Sequence, residues 1–244
     1  MGDKVQVLVW AHRGASAHSP ENSLAAFEHA RRVGADGIEM DVRLCRTGEA
    51  VVIHDPDLKR VAGAHLDVAG ASLRELSRYD IGEGERIPSL EDALDACRDV
   101  LVNLEMKVEG FAATGMERTV AEAVKKVGLE ERRVMISSFH PAALWRFKSL
   151  LPGVGRALLF GSCQAWYLRR GWHRTGLSVA AIHPEHTLAS PRAIKKWRKQ
   201  GLRVNVWTVN HPRTIREFAD RGADGVITDD PALALDTLRS RQTT

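Results

Sequence analysis

Ile38-Glu39-Met40-Asp41-Val42 is an apolar run broken by two carboxylates two residues apart. Successive strand side chains point to opposite faces, so on a strand Glu39 and Asp41 project to one side and the apolar residues to the other. Two like charges about 7 Å apart in a partly dry site repel by roughly 2 kcal/mol at an effective dielectric of about 20, so a positive partner is expected between them. Asn103-Leu104-Glu105-Met106-Lys107 repeats the pattern, with Glu105 and Lys107 on one face of a second strand. Three carboxylates without cysteine or histidine at ligand spacing suit a hard divalent cation, Mg2+ or Ca2+, better than zinc.

Outward from these two runs the chain alternates between strand and helix. Apolar runs at 5–11, 37–42, 101–106, 133–137, 155–159, 179–183, 203–207 and 225–228 read as strands. Helical patterns at 21–33, 89–98, 112–127, 140–151, 164–172, 190–200, 212–220 and 231–240 follow them in turn. Eight strand–helix units in about 250 residues is the size of a TIM (β/α)8 barrel, an α/β fold. The rival is a doubly wound open sheet. The first strand is followed by Ala11-His12-Arg13-Gly14, a single glycine where a dinucleotide loop needs several, and this favours the barrel. Residues 43–87 interrupt the rhythm. Thr47-Gly48 between Val42-Arg43-Leu44 and Ala50-Val51-Val52-Ile53 is a hairpin signal with little helical periodicity after it. The stretch is read as an insertion after the second strand of a single domain spanning 1–244.

Composition narrows the function classes. Apolar residues make up 44% of the 244, enough for a sizeable core. The first apolar run is too short for a signal segment and no later run approaches membrane-spanning length, so a soluble cytoplasmic protein is expected. Cys45, Cys97 and Cys163 are odd in number and far apart, which fits reduced thiols. The net charge of +4 is compatible with a small anionic substrate and does not call for nucleic acid. The densest basic stretch, 192–203, reads as a helix with Ser190 as N-cap, Pro191 in its first turn, Ile194 and Trp197 inward, and a solvated lysine face.

A barrel carries its chemistry at the C-terminal ends of its strands. Here those ends hold His12 and Arg13, Glu39 and Asp41, Glu105 and Lys107, Ser137-Ser138-Phe139-His140, His183, and Trp207 with Asn210, while the insertion's hairpin ends in His54-Asp55. Arg13 and Lys107 beside three carboxylates and a cation are the electrostatic outfit of phosphoryl chemistry. His12 and His54, with an ordinary pKa of about 6.5, suit acid–base work near neutral pH. His183 ends a strand on the reactive face and is a candidate for contact with substrate or a bound water. Ser137 and Ser138 lack a Gly-x-Ser-x-Gly elbow, which argues against acyl-enzyme chemistry. His18, His29, His65, His173, His186 and His211 read as surface residues, and His140 before Pro141 as a helix start.

Taken in order, Ala11-His12-Arg13-Gly14, Pro20-Glu21-Asn22-Ser23, Gly34-Ala35-Asp36, Ile38-Glu39-Met40-Asp41 and Val52-Ile53-His54-Asp55 resemble the glycerophosphodiester phosphodiesterase family. The resemblance continues through Leu104-Glu105-Met106-Lys107, Val206-Trp207-Thr208-Val209-Asn210 and Asp224-Gly225-Val226-Ile227-Thr228-Asp229-Asp230-Pro231. It implies a TIM barrel with a small insertion, a divalent cation, and hydrolysis of glycerophosphodiesters to an alcohol and glycerol 3-phosphate. Carried over by position, it makes Glu39, Asp41 and Glu105 metal ligands, His12 and His54 the acid–base pair, Arg13 and Lys107 the phosphate clamp, and Trp207 an aromatic wall over the glycerol. Glu21 becomes a neighbour that orients His12 or the metal carboxylates, with a plain first-turn helix carboxylate as the alternative. A glycerol hydroxyl next to phosphorus would carry the reaction through a cyclic phosphate. The chain departs from the pattern after Leu58, where Lys59-Arg60-Val61-Ala62 replaces the usual Arg-Thr run. Alcohol selectivity is thereby left open, as is pairing of the barrel with a second copy. Two rivals stand beside this reading: a lysophospholipase D or sphingomyelinase D type of phosphodiesterase using apolar surface at Phe160 and 165–168, and a non-catalytic barrel serving as a binding module.

Overall fold

Short apolar strands cannot satisfy their own backbone N–H and C=O groups, and closing them into a ring pairs every one without leaving an edge. The structure is a computed structural model describing residues 6–109, 115–162 and 177–240. Its strands are β1 (Leu8–His12), β2 (Gly37–Leu44), β3 (Ala50–Val52), β4 (Leu101–Met106), β5 (Val134–Ser138), β6 (Gly155–Phe160), β7 (Ala181–Pro184), β8 (Arg203–Val206) and β9 (Gly225–Thr228). All except β3 pair in parallel in the ring order β1-β2-β4-β5-β6-β7-β8-β9 and back to β1. The fold is a TIM (β/α)8 barrel.

Between the strands run α1 (Leu24–Val33), α2 (Lys59–Ala62), α3 (Leu73–Leu76), α4 (Leu90–Ala96), α5 (Met116–Val127), α6 (Pro141–Phe147), α7 (Pro191–Arg198), α8 (Pro212–Asp220) and α9 (Pro231–Ser240). Outward-facing Ile38, Met40, Val42, Leu104 and Ile136 join Phe27, Leu94, Val120, Leu144 and Ile215 from the helices in one buried cluster. Local sequence sets the helix ends. Ser23 accepts from the Ala26 N–H at the start of α1, and Gly34 closes it at φ 86°, a left-handed conformation that costs glycine little. The helix therefore begins at Leu24 and not at 21, because Ser23 caps it, and Glu21 lies ahead of its first turn. Ser190 and Pro191 open α7 as expected, with Ile194 and Trp197 buried. The fourth expected helix ends at Phe147 and not at 151. The expected helix at 164–172 and Cys163 lie outside the described residues. Cys45 and Cys97 are buried free thiols, and burial pushes Cys97 up to about 12. No helix among the described residues is long and apolar enough to cross a membrane.

The insertion departs where β2 outruns β4. Its last three residues pair antiparallel with β3, Val42 opposite Val52 and Leu44 opposite Ala50. Two single-turn helices follow, too short to show as periodicity, held by a left-handed Gly63 after α2 and a Ser72–Glu75 capping box on α3. Cys45, Val51, Ile53, Leu58, Val68, Leu76 and Ile87 form a second small buried cluster beneath them.

Inside the barrel the two ends differ. At the N-terminal end Trp10 fills the axis: a Cβ on Gly37 would lie 2.5 Å from its ring, and one on Gly225 would lie 3.1 Å from it. At the other end the register places His12 beside Glu39, Glu39 beside Asn103, and Asp41 beside Glu105. The strand pairing thus brings acidic residues from separate runs to one layer at the open mouth.

Candidate active site

The mouth begins with a tight turn after β1. Arg13 (φ 56°) and Gly14 (φ 83°) are both left-handed, and a Cβ on Gly14 would sit 2.7 Å from the Ala26 backbone, so the chain turns sharply beneath α1. A non-glycine residue held in this region stores strain that the surrounding contacts must over-determine. Those contacts are present. The Arg13 N–H donates to Glu39 Oε2 at 3.0 Å, its Nε lies 3.1 Å from Asp41 Oδ2, and its Nη1 donates to Glu21 Oε1 at 3.0 Å. Asn22, also left-handed at φ 58°, donates from Nδ2 to Asp41 Oδ2 at 2.9 Å and accepts from the Asp41 N–H at 3.2 Å.

Glu39, Asp41 and Glu105 are buried, and each offers an oxygen within 4.8 Å of the others. Lys107 Nζ lies 2.9 Å from Asp41 Oδ1 and also bonds Glu105. Two cations thus serve three carboxylates, and the charge is unevenly shared. Burial works against ionisation of Asp41, but Lys107 and Arg13 outweigh it and hold this carboxyl well below its usual range. Burial and the neighbouring Asp41 charge push Glu39 up to about 8, and burial raises Glu105 as well. Glu39 Oε1 is buried with no hydrogen-bond partner. An orphaned carboxylate oxygen in an all-oxygen, three-carboxylate donor set fits a hard divalent cation.

The two histidines face the same cleft, a cavity of about 200 Å3 that also includes Arg13, Lys107 and Trp207. Each imidazole is held by a carboxylate: His12 Nδ1 by Asp229 Oδ1 at 2.6 Å, His54 Nδ1 by Asp55 Oδ1 at 2.7 Å. A carboxylate can only accept, which puts the proton on Nδ1 and leaves Nε2 of each ring for exchange. Their environments differ. Burial pulls His12 down, but the Asp229 bond, helped by Glu39 when that carboxyl is ionised, outweighs it, and the ring is raised above its ordinary value. Burial lowers His54, Lys107 and Arg13 add to the effect, and Asp41 and Asp55 only partly offset it.

Trp207 lines the cleft, its Nε1 donating to the His183 carbonyl at 2.8 Å and its ring edge-on to Phe139 at 5.7 Å. His183 is not among the cleft-lining residues. It is buried with Nε2 2.9 Å from Asn205 Nδ2, and burial pushes it down to about 3, so the ring is neutral. Glu21 hydrogen-bonds Arg13 and Arg60 and makes no hydrogen bond with His12, although both line one pocket. Phe160 is buried edge-on against Trp197 and offers no surface, and 165–168 lie outside the described residues. Three residues absent from the sequence-derived site belong to it geometrically: Asn22, Asp55 and Asp229. Asp55 had a signal, a carboxylate directly after a candidate histidine. Asp229 is separated from His12 by most of the chain, and only the β1–β9 pairing brings them together.

The barrel and its mouth define a class: an α/β-barrel with a paired-histidine, three-carboxylate site for an anionic substrate. The chain belongs to the glycerophosphoryl diester phosphodiesterase family, whose model matches residues 12–233. It is 34% identical over 246 residues to a glycerophosphodiester phosphodiesterase of Caldanaerobacter subterraneus subsp. tengcongensis, covering 96% of this chain and 99% of the relative. Among solved structures, an Oleispira antarctica phosphodiesterase in complex with the product sn-glycerol-3-phosphate superposes with a TM-score of 0.82 at 26% identity, covering 95% of this chain and 96% of that one. A glycerophosphodiester phosphodiesterase from Thermotoga maritima superposes with a TM-score of 0.76 at 29% identity, covering 95% and 98%.

The Asp229 contact has a measurable sign. A folded-state pKa raised above the unfolded one adds stability below the ordinary value, and that stability is lost as pH rises through the folded value. Asp229→Asn removes the raising charge, so the His12 imidazole should titrate at lower pH in the metal-free protein, followed by NMR of its ring resonances. A His12 titration that stays in place or moves upward would show that Asp229 does not set it.

Proposed function

We propose that the chain hydrolyses glycerophosphodiesters to an alcohol and glycerol 3-phosphate, with Glu39, Asp41 and Glu105 holding one divalent cation, Mg2+ or Ca2+. The observation that carries this reading is the convergence of three buried carboxylates within 4.8 Å, two of which, Glu39 and Glu105, line the cleft shared by two histidines, Arg13 and Lys107. The product held by the Oleispira relative supports the same product here. When bound, the cation supplies positive charge next to the phosphoryl oxygens.

The chain's own residues supply the rest. Arg13 and Lys107 donate hydrogen bonds to the non-bridging oxygens and stabilise the charge that builds on them. His54, lowered and hence neutral near pH 7, takes the proton from the glycerol hydroxyl next to phosphorus. That oxygen bonds to phosphorus, and the alcohol oxygen departs with a proton from His12, whose hold on that proton the Asp229 bond strengthens. The cyclic phosphate is then opened by water as the roles reverse: His12 accepts the water proton and His54 returns its proton to the ring oxygen. Asp229 and Asp55 keep Nδ1 of each ring protonated, so Nε2 does the transfer at both ends. The Trp207 ring, braced edge-on by Phe139, offers an apolar wall for the carbon face of the glycerol.

Turnover of glycerophosphocholine should require Mg2+ or Ca2+ and vanish on exhaustive chelation. Faster turnover of lysophosphatidylcholine would favour the lysophospholipase D alternative, and no turnover of either by folded, cation-loaded protein would leave a binding module and overturn the proposal. The histidine roles separate on leaving groups. A p-nitrophenolate departs without a proton, so His12→Ala should recover at least about tenfold relative activity on glycerophospho-p-nitrophenol over glycerophosphocholine, within the 10²–10⁴-fold worth of acid catalysis. His54→Ala should show no such recovery. The opposite pattern exchanges the roles, and equal turnover of bis-p-nitrophenyl phosphate, which has no neighbouring hydroxyl, replaces the cyclic route with direct attack by water.

A further inference from the structure

Arg60, on the single-turn helix α2 of the insertion, extends back across the barrel mouth. Its Nη1 and Nη2 donate to Glu21 Oε2 and Oε1 at 2.8 and 2.7 Å, and its Nε donates to Asp55 Oδ2 at 2.6 Å. Each carboxylate has a second partner in the site: Glu21 Oε1 accepts from Arg13 Nη1, and Asp55 Oδ1 holds His54 Nδ1. The result is an alternating chain, Arg13, Glu21, Arg60, Asp55, His54, that runs from the phosphate clamp to the base.

We propose that Arg60 is a positioning residue whose single guanidinium clasps Glu21 and Asp55, fixing His54 relative to Arg13 and latching the insertion to the barrel. The proposal rests on the catalytic roles given above to His54 and Arg13. An ordinary exposed ion pair contributes little, screened by water and opposed by side-chain entropy, and would have no such role. Three features set this one apart. Arg60 is half exposed, but Glu21 and Asp55 are each only 21% exposed, so their contacts are partly shielded from water. The fork is bidentate to Glu21, a geometry that a lysine ammonium cannot reproduce. The two partners come from segments that share no hydrogen-bonded ladder, Glu21 from the turn before α1 and Asp55 from beyond β3, so Arg60 is the direct joint between them. The backbone around it is anchored independently: Leu58 is buried in the insertion's cluster, its N–H donating to the Leu66 carbonyl at 3.1 Å. Removing the guanidinium therefore leaves α2 its own support and releases the clasp. The carbonyl of His54 keeps its bond from Arg43 Nε at 2.8 Å, so the backbone of His54 stays tethered and the freedom gained falls on its imidazole.

The test compares Arg60→Ala and Arg60→Lys with the wild type, all loaded with Mg2+ or Ca2+. A loosened catalytic ring should lower kcat on glycerophosphocholine by about 10–100-fold with KM changed by less than about threefold, since small displacements of a reacting group cost up to about 10²-fold. Arg60→Lys should lose as much, because charge without the fork does not restore the clasp. Added millimolar guanidinium ion should recover part of the kcat of Arg60→Ala and none of the Arg60→Lys loss. A merely structural arginine would give a lowered melting temperature with kcat unchanged in the folded fraction and no rescue, and either that result or a kcat within twofold of wild type overturns the proposal. Should the wild type itself fail to turn over glycerophosphocholine, the functional reading falls and the clasp is read directly. The His54 Nδ1–H resonance should be protected from exchange in the wild type and broadened in both variants, and equal protection in all three would count against Arg60.

Discussion

Three carboxylates buried within 4.8 Å of one another are the constraint on which the rest of the mouth depends. At that spacing each ionised pair repels by about 3 kcal/mol at an effective dielectric of about 20, against under about 1 kcal/mol in water. Arg13 and Lys107 answer part of this, and Asp41, touched by both, stays ionised. Glu39 is left to carry the deficit, with one oxygen unpartnered and its proton retained to about 8. The consequences for pH run in opposite directions. Asp41 adds stability above the ordinary carboxylate value that is lost in acid, whereas protonated Glu39 adds stability that is lost as pH rises through about 8. A divalent cation held by Glu39, Asp41 and Glu105, as proposed above, would take the place of that proton.

The barrel keeps this arrangement in place by dividing its interior. Trp10, admitted only because Gly37 and Gly225 lack side chains, fills the N-terminal end of the axis, and the polar residues gather at the other. The turn after β1 then converts backbone strain into precision. Left-handed Arg13 and Asn22 bring a main-chain N–H to Glu39 and a side-chain amide to Asp41, so the carboxylates are aimed before anything binds. The two histidines are set apart by what surrounds them: the Asp229 bond acts to raise His12, whereas burial with nearby Lys107 and Arg13 lowers His54.

Much of this was legible in the residues. The two-residue spacing in 38–42 and 103–107 places Glu39, Asp41, Glu105 and Lys107 on inward faces, and the strand–helix rhythm leads to the barrel. What could not be read was register and loop conformation. Alternation tells which face a side chain takes but not which residue of another strand lies beside it, so the Asp229–His12 bond depends on a β1–β9 pairing that no local pattern encodes. His183 ends a strand on the reactive face, yet its ring turns to Asn205 because the barrel closes over it. Helical spacing extends back to Glu21, and its bridge to the insertion follows from where Ser23 starts that helix and from the turn at Arg13. The single-turn helices of the insertion are set by caps and by long-range packing, neither of which produces a period.

The proposal that Glu39, Asp41 and Glu105 together hold one divalent cation is tested most directly by calorimetric titration of Mg2+ and Ca2+ into the chelator-treated protein in buffers of different ionisation enthalpy. The account predicts one cation bound per chain, with release of a proton near pH 7 that fades as pH rises through about 8 and is abolished by Glu39→Gln. Binding that releases no proton at pH 7, or that Glu39→Gln and Asp41→Asn leave unchanged, would contradict it.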